Sequence, residues 1–215
     1  MTQRERVVAG AGGIAFTVLT VAAVAAAKTP GGTYSAADIA DYVAKGHQTG
    51  IFLGFGLALF SVLGLILLLV GLRERIGEGS LLANVFSTTS LVSIVAFAIG
   101  WAAWLSPPLA IAIGGSSSVV IDGRVTYVVL QIGGVIIFGV AGTFLGVTLI
   151  ALMIGSGQTL PTWLRWFTLI VGVLALASMA WLPFFPLLLW GLVAGIWMIA
   201  SGHKDEPAGQ PQPTS

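Results

Sequence analysis

The chain has 215 residues, of which 57% are hydrophobic and 8% are charged, and its formal net charge is +1. Because about a quarter of the residues of a soluble domain are charged, this composition predicts an integral membrane protein surrounded by membrane lipids. The near-neutral charge gives no reason to expect a nucleic-acid partner. The absence of cysteine excludes disulfides, thiolate metal sites and cysteine nucleophiles.

Long stretches without charge predict an all-α, polytopic transmembrane helix bundle with six spans, since one crossing takes about 20 apolar residues. The last stretch, between Arg165 and Lys204, is too long for one crossing, and Pro183 and Pro186 divide it into a helical hairpin. The predicted spans are residues 7–27, 50–72, 81–105, 125–154, 163–182 and 184–201. Together they form a single transmembrane domain over residues 1–204.

The first span also fits a secretory signal peptide. Arg4 and Arg6 precede the apolar run of residues 7–27, which ends in three alanines. The run is longer than the ~7–15 apolar residues usual in a signal peptide. This length favours a retained first helix over a cleaved signal.

A short amphipathic helix is predicted at residues 35–45, between the first two spans. Ser35 and Asp38 form a pair like a capping box, and Gly46 suits the C-terminal cap. The apolar residues of this segment share one face, which suits a helix that lies on the membrane surface or caps the bundle. We place this helix on the extracytoplasmic side.

Pro107 and Pro108 are predicted to end the third span, because the residue before a proline disfavours helical backbone. Trp101 and Trp104, just before them, suit a membrane interface. The segment 108–121 is too short and too rich in Gly and Ser to cross the membrane alone. We therefore predict an extramembrane or re-entrant loop there.

Six spans place both termini on one side, and the positive-inside rule indicates which side that is. Six basic residues fall on the side of the termini and three fall on the other. The first group is Arg4, Arg6, Arg73, Arg75, Arg165 and Lys204, and the second is Lys28, Lys45 and Arg124. Both termini are therefore predicted to be cytoplasmic, with a disordered cytoplasmic tail at residues 205–215.

Hydroxyl and amide side chains occur in the third and fourth spans, among them Thr89, Ser93 and Thr148. Interhelical hydrogen bonding is their expected role. The functional alternative is a polar cavity between these two spans. Its ligand-binding residues are then Asn84 near the inner mouth and Tyr127 with Gln131, one turn apart, near the outer mouth.

Asp38, Asp41 and His47 form the only cluster of acids and histidine predicted on the outer side. They are weak candidates for a metal or acid–base site, because a zinc site needs three or four well-placed ligands and Asp38 already suits a capping role. We therefore predict no metal and no cofactor. No set of nucleophile, base and orienting residue is apparent, so no catalytic residue is predicted.

Three pairs of glycines have the spacing that allows helices to approach closely. The pairs are Gly50 with Gly54, Gly142 with Gly146, and Gly191 with Gly195. Packing inside the bundle is the favoured interpretation, and a dimer face is the alternative. Trp190 and Trp197, beside the last pair, are predicted to be core or lipid-facing bulk.

Three segments carry a resemblance to a known family: "LPTWLRWFTLIVGVLAL" at the fifth span, "LLLWGLVAGIWM" in the sixth, and "GGTYSAADIADYVAKG" before the second. They are similar to a broad group of small bacterial, often actinobacterial, six-span membrane proteins catalogued only as a domain of unknown function. The resemblance covers most of the chain loosely, and its motifs are amphipathic and aromatic, so it implies no functional residues. It implies the six-span architecture and a bacterial plasma membrane.

Three functions are compatible with these observations. The leading hypothesis is a non-enzymatic membrane protein that serves as an accessory or regulatory subunit or as a homo-oligomer, since no span interior holds an ionisable residue of the kind that marks transporters. The alternative is a carrier or binder of an apolar small molecule such as a lipid, a quinone or a hydrophobic drug. A membrane enzyme is the third hypothesis.

Overall fold

The structure is a computed structural model that describes residues 1–28, 48–77, 79–114, 123–178 and 184–201. Every regular element in these ranges is helical, which confirms the predicted all-α class. The elements are α1 (Gln3–Ala27), α2 (Gln48–Arg73), α3 (Leu81–Gly114), α4 (Gly123–Gly134), a π-helical segment (Val135–Ala141), α5 (Gly142–Gly155), α6 (Thr162–Leu176) and α7 (Phe184–Ser201).

Length and hydropathy identify the chain as a multi-pass membrane protein. Five helical stretches are long and apolar enough to cross a membrane, and they are Gln3–Ala27, Thr49–Arg73, Leu81–Ala110, Val125–Gly155 and Phe184–Ser201. Helix α6 is apolar but has only 15 residues. Large apolar side chains are exposed all along the bundle, including Phe60 and Phe185 at 62% and 71%. A water-soluble monomer rarely exposes such a surface, so these side chains contact membrane lipids.

The helices form a ring. Helix α1 packs between α2 and α7, α3 packs between α2 and the α4–α5 stretch, and α6 packs between α5 and α7. The hydroxyl of Thr17 in α1 donates to the carbonyl of Leu188 in α7 at 2.7 Å. The indole N–H of Trp190 in α7, which is fully buried, donates to the hydroxyl of Thr168 in α6 at 3.0 Å.

Glycines bring the backbones of α1, α2 and α7 together. A Cβ atom at Gly12 of α1 would lie 2.7 Å from the carbonyl oxygen of Gly64 in α2. A Cβ atom at Gly195 of α7 would lie 2.5 Å from the carbonyl oxygen of Gly10 in α1. These contacts confirm that the glycine pair of the last span packs inside the bundle. The pair in the fourth span does the same, since Gly146 faces the backbone of α6.

The predicted stop at Pro107 and Pro108 is wrong, because α3 continues through both prolines to Gly114. Pro107 has no N–H to donate to the carbonyl of Ala103, four residues earlier. The hydroxyl of Ser106 donates to that carbonyl at 3.0 Å instead. A neighbouring serine that satisfies the freed carbonyl lets a membrane helix keep an internal proline. The first part of the predicted loop at 108–121 is therefore helical.

The fourth predicted span contains a π-helical segment between α4 and α5. Ala141 is the last residue of the segment, and the backbone N–H of Gly142, just after it, donates to the carbonyl of Ile137, five residues earlier. The fully buried hydroxyl of Ser93 in α3 donates to the carbonyl of Ala141 at 2.9 Å. A side chain of the neighbouring helix thus holds the point where the π-helical segment returns to α-helix.

Aromatic rings fill the interior of the bundle between α1, α3, the π-helical segment and α7. Successive ring contacts join Phe16 to Phe97, Phe97 to Phe184, Phe184 to Phe138, Phe138 to Trp104, and Trp104 to Trp101, with centroids 4.8 to 6.2 Å apart. Trp101 is only 2% exposed. The ring of Trp101 therefore belongs to the core, and its predicted depth at the membrane interface stays a prediction.

Two predicted elements lie outside the described residues. They are the amphipathic helix at 35–45 and the tail at 205–215. Both stay predictions.

Candidate functional site: a groove between α2 and α3

One end of the bundle gathers most of the charged residues of the described ranges. The amino group of Met1 lies 3.4 Å from the carboxylate of Glu74, just after α2. The hydroxyl of Thr159, between α5 and α6, donates to the carbonyl of Arg75 at 3.2 Å, and the Arg75 guanidinium lies 5.4 Å from the ring centre of Trp197 in α7. We call this the basic end, since Arg4, Arg6, Arg73, Arg75 and Arg165 belong to the segments that meet there.

A groove of about 350 Å³ runs from the basic end between α2 and α3. Its lining residues are Ile66, Leu69, Val70 and Arg73 of α2 and Phe86, Ser87, Ser90, Leu91 and Ile94 of α3. Val70 and Leu91 are each 62% exposed, so the groove opens sideways toward the membrane lipids. Its volume is near the lower end of the ~300–1,000 Å³ typical of ligand pockets. We call it the α2–α3 groove.

Helical periodicity places these side chains together. In α2 the lining positions recur at spacings of three and four residues, which puts them on one face of the helix. The α3 positions follow the same period on the facing side. Ile66 lies seven residues before Arg73, so the groove extends about 10 Å from the guanidinium along the helix axis.

Arg73 lies at the polar end of the groove as the last residue of α2. Its Nε donates to the hydroxyl of Ser87 at 2.9 Å, and its Nη1 donates to the carbonyl of Ile76 at 3.4 Å. The Ser87 hydroxyl in turn donates to the carbonyl of Ala83 at 2.9 Å. These bonds hold the guanidinium against α3, at the point where the apolar walls begin.

Ser90 lies on the wall of the groove one turn farther from the basic end. It is 6% exposed, and its hydroxyl has no hydrogen-bond partner among the described residues. Its neighbours Ser87 and Thr89 both donate to carbonyls of their own helix. A buried hydroxyl without a partner costs about 1–3 kcal/mol. Ser90 is therefore a polar group that a ligand in the groove can satisfy.

The predicted ligand-binding residues occupy two distant places. Asn84 is exposed near the start of α3, whereas Tyr127 and Gln131 are partly buried on α4. Gly133 of α4 packs against the backbone of Trp104, which lies twenty residues after Asn84 in α3. This separation is about 30 Å along the helix axis, so the structure does not bring the three side chains together. Their binding roles stay predictions.

Direct hydrogen bonds connect α3 to the fourth predicted span. The hydroxyls of Thr89 and Thr148 lie 2.8 Å apart, and the Ser93 hydroxyl reaches the carbonyl of Ala141. The predicted interhelical role of Thr89, Ser93 and Thr148 is confirmed. These bonds lie between the inner and outer residues of the predicted cavity.

The weak metal candidates Asp38, Asp41 and His47 lie outside the described residues. A site built from them stays a prediction.

The apolar pattern of the sequence does not predict the α2–α3 groove. The sequence predicts Arg73 only as a basic residue on the cytoplasmic side, and it predicts the hydroxyls of the third span as helix-packing groups or as part of a polar cavity toward the fourth span. The signal that could have found them is the proximity of an arginine at the end of one span to two serines, three residues apart, near the start of the next. A short connection brings such helix ends together.

No family model matches the chain, and no curated protein and no solved structure shows significant similarity to it.

Proposed function

We propose that the protein binds a membrane lipid and that the α2–α3 groove holds one acyl chain of that lipid. The observation that carries this proposal is an apolar groove that opens toward the bilayer at Val70 and Leu91 and ends at a fixed guanidinium. Apolar walls with a few polar groups at one end are typical of sites for amphipathic ligands. This function corresponds to the binder alternative of the sequence analysis.

The size of the groove supports one chain as the occupant. A volume of about 350 Å³ suits a single hydrocarbon chain better than a whole two-chain lipid. The side opening lets a lipid insert one chain while its second chain stays in the bilayer. A ligand that partitions into the membrane can therefore reach the site without crossing water.

The membrane arrangement that we propose is six spans in a bacterial plasma membrane, with both termini in the cytoplasm. The resemblance to small bacterial six-span proteins supports the span count and the membrane. The basic end supports the orientation, because arginines concentrate on the cytoplasmic side. The groove then opens into the cytoplasmic leaflet. Helix α6 covers residues 163–176 of the predicted fifth span.

The subunit hypothesis of the sequence analysis stays a prediction. The glycine pairs that would have formed a dimer face pack inside the bundle instead, against α1 and α6. This use of the glycines removes one argument for a homo-oligomer and leaves the accessory role open. The enzyme hypothesis likewise depends on residues outside the described ranges.

Native mass spectrometry of the gently extracted protein tests the proposal. We expect the wild-type protein to retain a lipid and the Leu91→Trp variant to lose it, because the larger ring fills the mouth of the groove. Leu53→Trp is the matched control, since Leu53 is 55% exposed on α2 and does not line the groove. Equal lipid retention in wild type and Leu91→Trp would contradict the proposal.

A further inference from the structure

We infer that the α2–α3 groove is selective for an anionic glycerophospholipid. The lipid phosphate binds the Arg73 guanidinium, and the ester carbonyl of the bound acyl chain accepts a hydrogen bond from Ser90. This inference rests on the proposed function, since it assigns the headgroup and the linkage of the lipid whose chain fills the groove. The inference depends on two polar side chains, Arg73 and Ser90, which lie at different depths in the groove.

Arg73 supplies the anion site. A guanidinium has five N–H donors, and the bonds to Ser87 and Ile76 leave donors for a ligand. Such a group bonds a phosphate through two parallel N–H donors. No acidic residue lines the groove in the described part of the chain, and the nearby Glu74 carboxylate faces the amino group of Met1. The groove therefore favours a headgroup with net negative charge over a zwitterionic one.

The depth of Arg73 agrees with this assignment. Arg73 directly follows the second predicted span and is the last residue of α2, so its guanidinium lies where the apolar layer gives way to the lipid headgroups. Basic pockets between membrane helices on the cytoplasmic side are known to suit anionic headgroups. The lipid phosphates of that leaflet and the guanidinium thus share one depth.

Ser90 supplies the second polar contact. It lies three residues beyond Ser87 along α3, which is about 4.5 Å deeper into the groove. In a glycerophospholipid the ester carbonyls lie on the tail side of the phosphate. A lipid with its phosphate on Arg73 therefore brings an ester carbonyl to the depth of Ser90, whose buried hydroxyl lacks a partner. A fatty acid has one polar group and would leave either Arg73 or Ser90 without a ligand contact.

Lipid titrations of the purified full chain, followed by native mass spectrometry, test the inference. The probes are ester-linked phosphatidylglycerol, phosphatidylcholine with the same chains, ether-linked phosphatidylglycerol, and oleate. The variants are Arg73→Gln, Ser90→Ala and the charge control Arg4→Gln, whose side chain is exposed at the same end of the bundle.

For wild type we expect about tenfold tighter binding of phosphatidylglycerol than of phosphatidylcholine, because both phosphates can reach Arg73 but no acidic residue of the described chain lines the groove to balance the choline cation. Arg73→Gln should abolish this preference, and Arg4→Gln should keep it. Ester-linked phosphatidylglycerol should bind wild type several-fold tighter than the ether-linked form, and Ser90→Ala should remove that difference. Because the comparison of ester-linked and ether-linked phosphatidylglycerol uses the wild-type protein, it does not depend on whether the Ser90→Ala variant folds.

Equal affinity of the wild-type protein for phosphatidylglycerol and phosphatidylcholine would overturn the anionic selectivity. Tighter binding of oleate than of phosphatidylglycerol would overturn the inference that Arg73 and Ser90 both contact the lipid. Either result leaves the proposed function intact as long as Leu91→Trp still blocks lipid uptake. Lipid binding that survives Leu91→Trp would remove the proposed function itself.

Discussion

Ser90 and Ser93 are both buried serines of α3, and they differ in their hydrogen bonding. Ser93 donates to the carbonyl of Ala141 in the π-helical segment, whereas Ser90 has no partner among the described residues. Both side chains are within one turn of each other and have nearly the same exposure. They therefore form an internal comparison of a satisfied and an unsatisfied hydroxyl.

We expect Ser93→Ala to lower the free energy of unfolding of the delipidated protein by about 0.6–1.7 kcal/mol, because it removes an interhelical hydrogen bond. Ser90→Ala should be neutral or slightly stabilising, since it removes a buried polar group that has no partner. Unfolding in a denaturing detergent, followed by tryptophan fluorescence, measures both changes. Equal losses of stability in the two variants would contradict the assignment of Ser90.

At the residue scale the sequence identifies hydroxyls that bond across helices but not the one that faces a groove. Ser87, Ser90 and Ser93 are the same residue type in one apolar helix. Their different partners come from the neighbours that α3 meets, namely Arg73 in α2 and Ala141 in the π-helical segment. Those partners depend on tertiary packing, which residue type and local spacing do not specify.

At the scale of the element, close approach of α1 and α2 depends on glycines at the crossing. A Cβ atom at Gly64 would lie 2.7 Å from both the carbonyl oxygen of Gly12 and the backbone nitrogen of Phe16. Backbone atoms cannot rotate away as a flexible side chain can. Gly56, in the same helix, has no atom within 4 Å of the corresponding position.

Gly64→Ala should therefore destabilise the bundle by about 1–3 kcal/mol, the usual cost of forcing extra volume into a packed interior. Gly56→Ala is the matched control and should be neutral or stabilise the protein by up to about 1 kcal/mol, because alanine restricts the unfolded chain. Thermal unfolding in detergent, monitored by circular dichroism, compares the two variants. A Gly64→Ala protein as stable as Gly56→Ala would mean that α1 and α2 are not in backbone contact.

Hydropathy predicts where the helices lie. It does not predict local changes in backbone conformation that accompany a single side-chain contact. The third helix continues through Pro107 and Pro108, and Ser106 donates to the carbonyl that Pro107 leaves free. The π-helical segment of Val, Ile, Phe, Gly and Ala has no distinctive composition that would separate it from the α-helix on either side. Such local adjustments follow from contacts that the apolar pattern does not encode.

At the scale of the whole molecule, charge is distributed unequally between the two ends. Arg73, Arg75 and Arg165 belong to the basic end, and Lys28 closes α1 at the other end. The connection after α2 and the turn between α5 and α6 meet at the basic end through the bond between Thr159 and Arg75. The positive-inside rule then predicts that this end faces the cytoplasm.

Single-cysteine labelling measures the orientation directly, because the chain has no native cysteine. Cysteines at Ser80 and Gln158, at the basic end, should resist a membrane-impermeant maleimide in intact cells and react after lysis. A cysteine at Lys28 should react in intact cells. The reverse pattern would show that the basic end faces outward.

The class of the whole molecule follows from composition, and the order of the helices around the ring does not. Helices α2 and α3 have no distinct apolar face, so their sequences do not indicate which face is buried and which faces lipid. The groove between them is therefore apparent only from the packed bundle.

If the groove binds a lipid as proposed, its sideways opening at Val70 and Leu91 determines where that lipid comes from. A lipid that enters there comes from the surrounding leaflet and not from water. Occupancy then follows the mole fraction of that lipid in the leaflet and is unaffected by diluting the cells or the vesicles. The fraction of protein with bound lipid would therefore change with the lipid composition of the membrane.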